Sequence, residues 1–205
     1  MFNDRADAGR QLAEKLRKYS GANSILLAIP RGGVTVAYEI SKELKIPVDV
    51  IIVRKVGHPY NPEYALGAVG VDGSFIHTAH GQGVSQEYID SMVREKQSEA
   101  KERYLELRGD KPPIDLKDKI AILVDDGVAT GSTMLMAVML VKEKNPKKIV
   151  IAVPVAPPDT IKQLEKVADE VINLLAPYGF MAIGQYYRDF SQVSTEEAKR
   201  MLEGL

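Results

Sequence analysis

Residues 120–133 read IAILVDDGVATGST: five apolar residues, two adjacent carboxylates, then a turn of glycine, threonine and serine that runs on into MLMAV. A short apolar run bounded by turn residues marks a buried strand, and the apolar spacing after it suits a helix. Strand, glycine-bearing turn and helix in succession form the unit from which parallel α/β sheets are built. The stretch 24–44, SILLAIPRGGVTVAYEISKEL, repeats that order upstream.

Outward from these two units the chain alternates helix and short strand. An amphipathic helix is expected over 5–19, a strand over 24–29, a helix over 34–44, an apolar run over 48–53 and a long helix over 85–108. Further strands are expected over 119–124, 148–153 and 170–174. Ser85 is placed to cap the long helix, with Glu87 in its first turn and the pairs Asp90/Arg94 and Glu99/Arg103 four residues apart. Segment 55–67, KVGHPYNPEYALG, is punctuated by proline and glycine and reads as a loop, whereas Val71-Asp72-Gly73-Ser74 reads as a hairpin turn, because an Asp-Gly pair suits a tight turn. The expectation is an α/β fold with a mostly parallel central sheet flanked by helices.

Composition narrows the function classes. A chain of 205 residues, 45% hydrophobic, can bury about 70% of its unfolded surface in one sizeable core. One domain over 1–205 is expected, with a small hood drawn from 56–110, from 176–205, or from both. The 27 basic and 28 acidic residues leave a net charge of -1, which gives no broad footprint for nucleic acid or an anionic membrane. Any anion must therefore be held locally. The absence of cysteine excludes disulfides and thiolate zinc sites and suits a reducing compartment. The opening MFNDRADAGRQLAEKLRKYS carries no apolar targeting region, so a cytoplasmic location is expected.

Both glycine turns follow strands, at the carboxyl edge of the sheet where open α/β folds place ligands. The first offers the amides of Arg31, Gly32 and Gly33 at a helix N-terminus, a natural anion site, together with the charge of Arg31. The second offers the amides from Ala129 to Thr133 and the hydroxyls of Thr130, Ser132 and Thr133. Two anion cradles imply a ligand phosphorylated at both ends. Asp125 and Asp126, side by side at the end of an apolar run, would lose hydration and repel each other unless something cationic or hydroxylated met them. A sugar phosphate fits, the acids accepting from vicinal hydroxyls or holding water on Mg²⁺. A P-loop would need a lysine before Ser132, and a dinucleotide fingerprint a third glycine. In aspartyl-phosphate hydrolases the two acids are separated by one residue, not adjacent. His58, His77 and His80 read as loop histidines rather than metal ligands, since a hard ion prefers oxygen.

VDDGVATGST resembles the phosphoribosyl pyrophosphate (PRPP) motif of the type I phosphoribosyltransferases, and PRGG resembles the pyrophosphate loop of that family. The resemblance runs from about residue 12 to 190, and VRKVGHPYNPEYALGAV and AIGQYYRDF resemble a bacterial and archaeal subgroup. It implies the type I fold and a Mg²⁺-dependent transfer of phosphoribose from PRPP to a small nitrogen base, with release of pyrophosphate. In that reading Ala129, Thr130, Gly131, Ser132 and Thr133 take the 5-phosphate, with Gly127 and Val128 completing the loop. Asp125 and Asp126 take the ribose hydroxyls and hold Mg²⁺ through water. Arg31, Gly32, Gly33 and Lys55 face the pyrophosphate, and Arg31, Lys55 and Asp126 carry catalysis.

The resemblance also makes 56–67 a mobile closing loop, stiffened by Pro59 and Pro62, and it makes Phe180 and Tyr187 faces for the acceptor base. Ala129 stands where 6-oxopurine members carry an aspartate, so proton handling falls to Glu63, Asp189 or water. The helix over 85–108 either completes the hood or forms a homodimer surface. The rival reading is a PRPP sensor without transfer; basic residues at both Arg31 and Lys55 beside an intact PRGG favour the enzyme.

Overall fold

A computed structural model describes residues 1–78 and 83–205, with the backbone alone at 62 and 63. In chain order, α1 (Arg5–Leu16), β1 (Ser24–Ala28), α2 (Gly32–Leu44) and β2 (Val48–Val50) come first, followed by β3 (Arg54–His58), β4 (Asn61–Val69) and β5 (Phe75–His77). Then come α3 (Gln86–Arg108), β6 (Ile120–Val124), α4 (Ser132–Lys142), β7 (Lys148–Val155), α5 (Pro158–Leu164), β8 (Glu170–Leu175) and α6 (Thr195–Glu203). Five strands pair in parallel in the order β2-β1-β6-β7-β8, and β3-β4-β5 form a second, antiparallel sheet. The α/β class with a parallel central sheet is therefore as the periodicity requires.

The central strands read as unbroken apolar runs because both of their faces are covered. Along β1, Leu26 and Ala28 join a cluster with Leu12 and Leu16 of α1 and Val36 and Ile40 of α2. The alternate residues Ile25 and Leu27 join another with Met134, Ala137 and Val138 of α4. The apolar run over 48–53 supplies only three strand residues. Ile51 still donates to the Ala28 carbonyl at 3.0 Å, after which the chain leaves for the second sheet at Arg54.

Segment 55–67 is not a loop. It lies in the antiparallel ribbon of β3 and β4, with Lys55 opposite Ala68 and Val56 opposite Gly67, and with register shifts on either side of Gly57. Buried Val56, Leu66 and Val69 pack against Ile89 of α3, and that burial outweighs the proline and glycine punctuation. The stiffening expected of Pro62 and the proton handling expected of Glu63 fall on side chains outside the described residues, as does His80. His58 and His77 lie in β3 and β5 rather than in loops. The Asp-Gly turn forms as expected: Gly70 donates to Ser74 at 3.0 Å and Gly73 takes φ +83°.

Ser85 caps α3, its side chain accepting from the Tyr88 amide at 3.3 Å. The expected surface pairs give way to other partners. Glu99 meets Lys96 at 2.5 Å and Arg54 at 3.5 Å, while Arg103 donates to Glu106 and to Thr195 of α6. Among the described residues no helix is long and apolar enough to cross a membrane.

Candidate active site

Strands β1 and β6 are neighbours paired residue for residue, so Ala28 lies opposite Val124 and the two glycine turns leave the sheet side by side. The Ile29 amide extends the ladder to the Val124 carbonyl at 2.8 Å. PRGG then presses against the acids. A Cβ on Gly33 would lie 2.6 Å from the Val124 carbonyl oxygen and 3.0 Å from Asp125 Cα, and one on Gly32 would collide with the Asp126 carboxylate. Only residues without side chains let the turn approach so closely. Arg31, after a cis peptide bond from Pro30, precedes α2 and is partly buried.

The second turn opens α4. Val128 is buried and donates to the Val155 carbonyl at 2.9 Å, and Gly127 packs beneath Ile183. Gly131 caps the helix at φ +82°, a conformation that glycine adopts without strain. Ala129, Thr130, Ser132 and Thr133 are exposed, and among the described residues no acceptor takes the amides of 129–133. These donors, at the positive end of a helix, are disposed as an anion cradle would require. The Thr130 and Ser132 hydroxyls lie 3.3 Å apart at its rim, and Thr160 of α5 holds its base by donating to the Ala129 carbonyl at 2.7 Å.

Asp125 and Asp126 lie between the cradles. Burial, then the neighbouring Asp126 charge, raises the Asp125 carboxyl well above the usual carboxylate range. Burial also raises Asp126, countered by Arg5. Asp125 Oδ1 accepts from the Asp126 amide at 2.8 Å. A contact not anticipated above comes from Arg5, whose Nε donates to Asp126 Oδ2 at 2.6 Å. Its Nη1 donates to the Ser191 carbonyl at 2.7 Å, and its guanidinium lies 3.8 Å from the centre of the Phe190 ring. Arg5 opens α1, where the helix dipole disfavours a cation, and that misplaced charge was the available clue.

The two residues expected to face the acceptor base, Tyr187 and Phe180, both pack against neighbouring aromatic rings. Tyr187 is not exposed for stacking: it is 5% exposed, packed among Phe2, Val155 and Phe190, and its hydroxyl donates to the Asp126 carbonyl at 2.5 Å. Burial pushes its phenol upward, so the proton stays where the carbonyl needs it. Phe180 is partly buried and stacks on Tyr186, with ring centres 5.5 Å apart. Lys55 is exposed on β3, while Arg54 beside it turns to Glu99 of α3. Asp189, a candidate for proton handling, accepts from the amide and hydroxyl of Ser191.

The donor chemistry fits a hard divalent ion. Two adjacent carboxylates at a sheet edge suit Mg²⁺, which keeps much of its water and takes its remaining oxygens from phosphates. Among the described residues no cluster of three or more His, Cys, Asp or Glu assembles, so an ion here would rest on this pair, water and ligand.

Residues 2–184 match the phosphoribosyl transferase domain family. Two Mycobacterium tuberculosis proteins, "Putative phosphoribosyl transferase Rv0571c" and its counterpart MT0597, are each 40% identical over 206 residues, which cover 99% of this chain and 46% of theirs. The chain thus spans about half the length of these curated relatives. The crystal structure of TT1426 from Thermus thermophilus superposes with a TM-score of 0.90 at 39% identity, covering 98% of this chain and 97% of that one. Because that family's model spans residues 2–184, nearly the whole sequence, the chain belongs to the phosphoribosyl transferase domain family.

Proposed function

We propose that the chain transfers the 5-phosphoribosyl group of PRPP to a nitrogen base and releases pyrophosphate. One observation carries the reading: PRGG lies against Asp125 and Asp126 while the open amides of 129–133 lie just beyond them, which matches a ribose with an anion at each end. The α4 cradle takes the 5-phosphate, the two acids accept from the ribose hydroxyls, and Arg31 with the amides of Gly32 and Gly33 takes the pyrophosphate. Bound Mg²⁺, held through water by Asp125 and Asp126, would add positive charge beside the leaving group.

As the acceptor nitrogen donates its lone pair to the anomeric carbon, the bond from that carbon to the pyrophosphate oxygen breaks, and the nitrogen proton passes to water. Ala129 supplies no base in the loop. Negative charge grows on the departing pyrophosphate, where Arg31 and Lys55 act. Ribose and 5-phosphate contacts are equal in ground and transition states and set affinity; the cations set rate.

The test is pyrophosphate release from PRPP and Mg²⁺ across a panel of nucleobases, beside calorimetric PRPP affinity. Wild type is expected to release pyrophosphate with at least one base. Lys55→Ala is expected to lower turnover at least about tenfold more than it weakens PRPP binding. Tight Mg-PRPP binding without release from any base would instead make the chain a sensor.

A further inference from the structure

We propose that Arg5 is a positioning residue for Asp126, fixing its carboxylate with Oδ2 turned toward α1 and Oδ1 left for a ribose hydroxyl. The inference rests on the phosphoribosyl reading of the site. Three contacts immobilise the guanidinium: Asp126 Oδ2 at 2.6 Å, the Ser191 carbonyl at 2.7 Å and the Phe190 ring at 3.8 Å. Arg5 and Asp126 side chains are each 11% exposed, so the pair is shielded from competing water. A lysine could supply the charge, but not the planar fork and the stacked face together.

Asp126 needs such a partner. It is buried, its own amide donates to Asp125 Oδ1 at 2.8 Å, and its Oδ2 accepts from Arg5 Nε. The pyrophosphate turn is shaped around this pair: a Cβ on Gly32 would collide with the Asp126 carboxylate and lie 3.0 Å from Arg5 Nε. Arg5 thereby touches the ribose acid and the C-terminal segment, and it stands beside the pyrophosphate turn. An acid already oriented binds without the cost of being ordered by the ligand.

The test uses Arg5→Met, which keeps length and apolar surface, and Arg5→Lys, which keeps charge without the fork. Each variant is made alone and with Asp126→Asn, and the readouts are crystal structures and calorimetric Mg-PRPP affinity. Arg5→Met is expected to release Asp126 from its wild-type orientation and to weaken Mg-PRPP binding about tenfold, with Arg5→Lys recovering part of the loss. In the Asp126→Asn background Arg5→Met should change affinity by less than about twofold, because the residue acts through Asp126. An unmoved Asp126 carboxylate in Arg5→Met overturns the proposal, as does an equal loss in both backgrounds. Tighter binding also overturns it, making Arg5 a competitor for the acid. If Arg5→Met does not fold, the Asp126 orientation in Arg5→Lys decides by the same criterion. A wild-type chain that does not bind Mg-PRPP sinks the phosphoribosyl reading, and the Asp126 orientation still decides what Arg5 does.

Discussion

Thr160 donates its hydroxyl to the Ala129 carbonyl at 2.7 Å, tying the first turn of α5 to the anion cradle 31 residues earlier. Its methyl group lies 3.0 Å from where a Cβ on Gly131 would stand, so the same side chain both bonds the loop and fills the space under it. Thr160→Val keeps the shape and removes the donor. It is expected to cost about 1 kcal/mol in urea unfolding and to weaken binding of inorganic phosphate at the α4 N-terminus, read by calorimetry.

Tyr187→Phe separates a packing role from an acceptor role. The ring stays in its cluster while the Asp126 carbonyl loses its donor, so stability is expected to fall by about 1–2 kcal/mol with the acceptor KM unchanged. A raised acceptor KM at full stability would return Tyr187 to the acceptor pocket.

Gly33→Ala forces a methyl group to 2.6 Å from the Val124 carbonyl, a backbone atom fixed by the sheet. Overpacking of this kind costs about 1–3 kcal/mol, so a melting point lower by about 3–10 °C is expected by calorimetry. Pyrophosphate binding should fall with it, because the turn must move away from the acids.

Glu170 gives a pH signature far from the site. Burial alone would raise its carboxyl, but hydrogen bonds from Lys148, Lys18 and Tyr19 outweigh burial and hold it at about 2, against an ordinary 4.5. A depressed folded-state pKa contributes stability that is complete above the unfolded value and is lost as pH falls through the folded one. Wild type is therefore expected to exceed Glu170→Gln in stability at pH 7, with the difference shrinking between pH about 4.5 and about 2. Guanidinium unfolding at stepped pH measures it.

What the sequence disclosed followed from locality. IAILV and SILLA showed as strands because each is buried on both faces, and Ser85 showed as a cap because its partner is three residues away. The two glycine turns could be set together because their strands were expected in one parallel sheet. Segment 55–67 was misread because the burial that makes it a ribbon comes from Ile89, beyond the hairpin itself. Glu99 and Arg103 were paired along the helix, but tertiary partners, Arg54 and Thr195, took part of each. Tyr187 was taken for a stacking surface because an aromatic-rich segment does not reveal which ring faces inward. Arg5 escaped for the same reason at larger scale, with partners 121 and 186 residues away.

Those separations also set the order of assembly. Phe2 and Asn3 are hydrogen-bonded to the 186–189 segment, and Arg5 to Ser191, so the start of α1 and the residues before it are held by the segment that follows β8. Contacts this distant in sequence stabilise a chain only after the entropy of closing the loop between them has been met, which makes them late events in folding. Along the chain the last strand of the parallel sheet, β8, ends at Leu175, ahead of Tyr187 and Ser191. The sheet is therefore expected to form while Asp126 still lacks its C-terminal supports, with the site closing last.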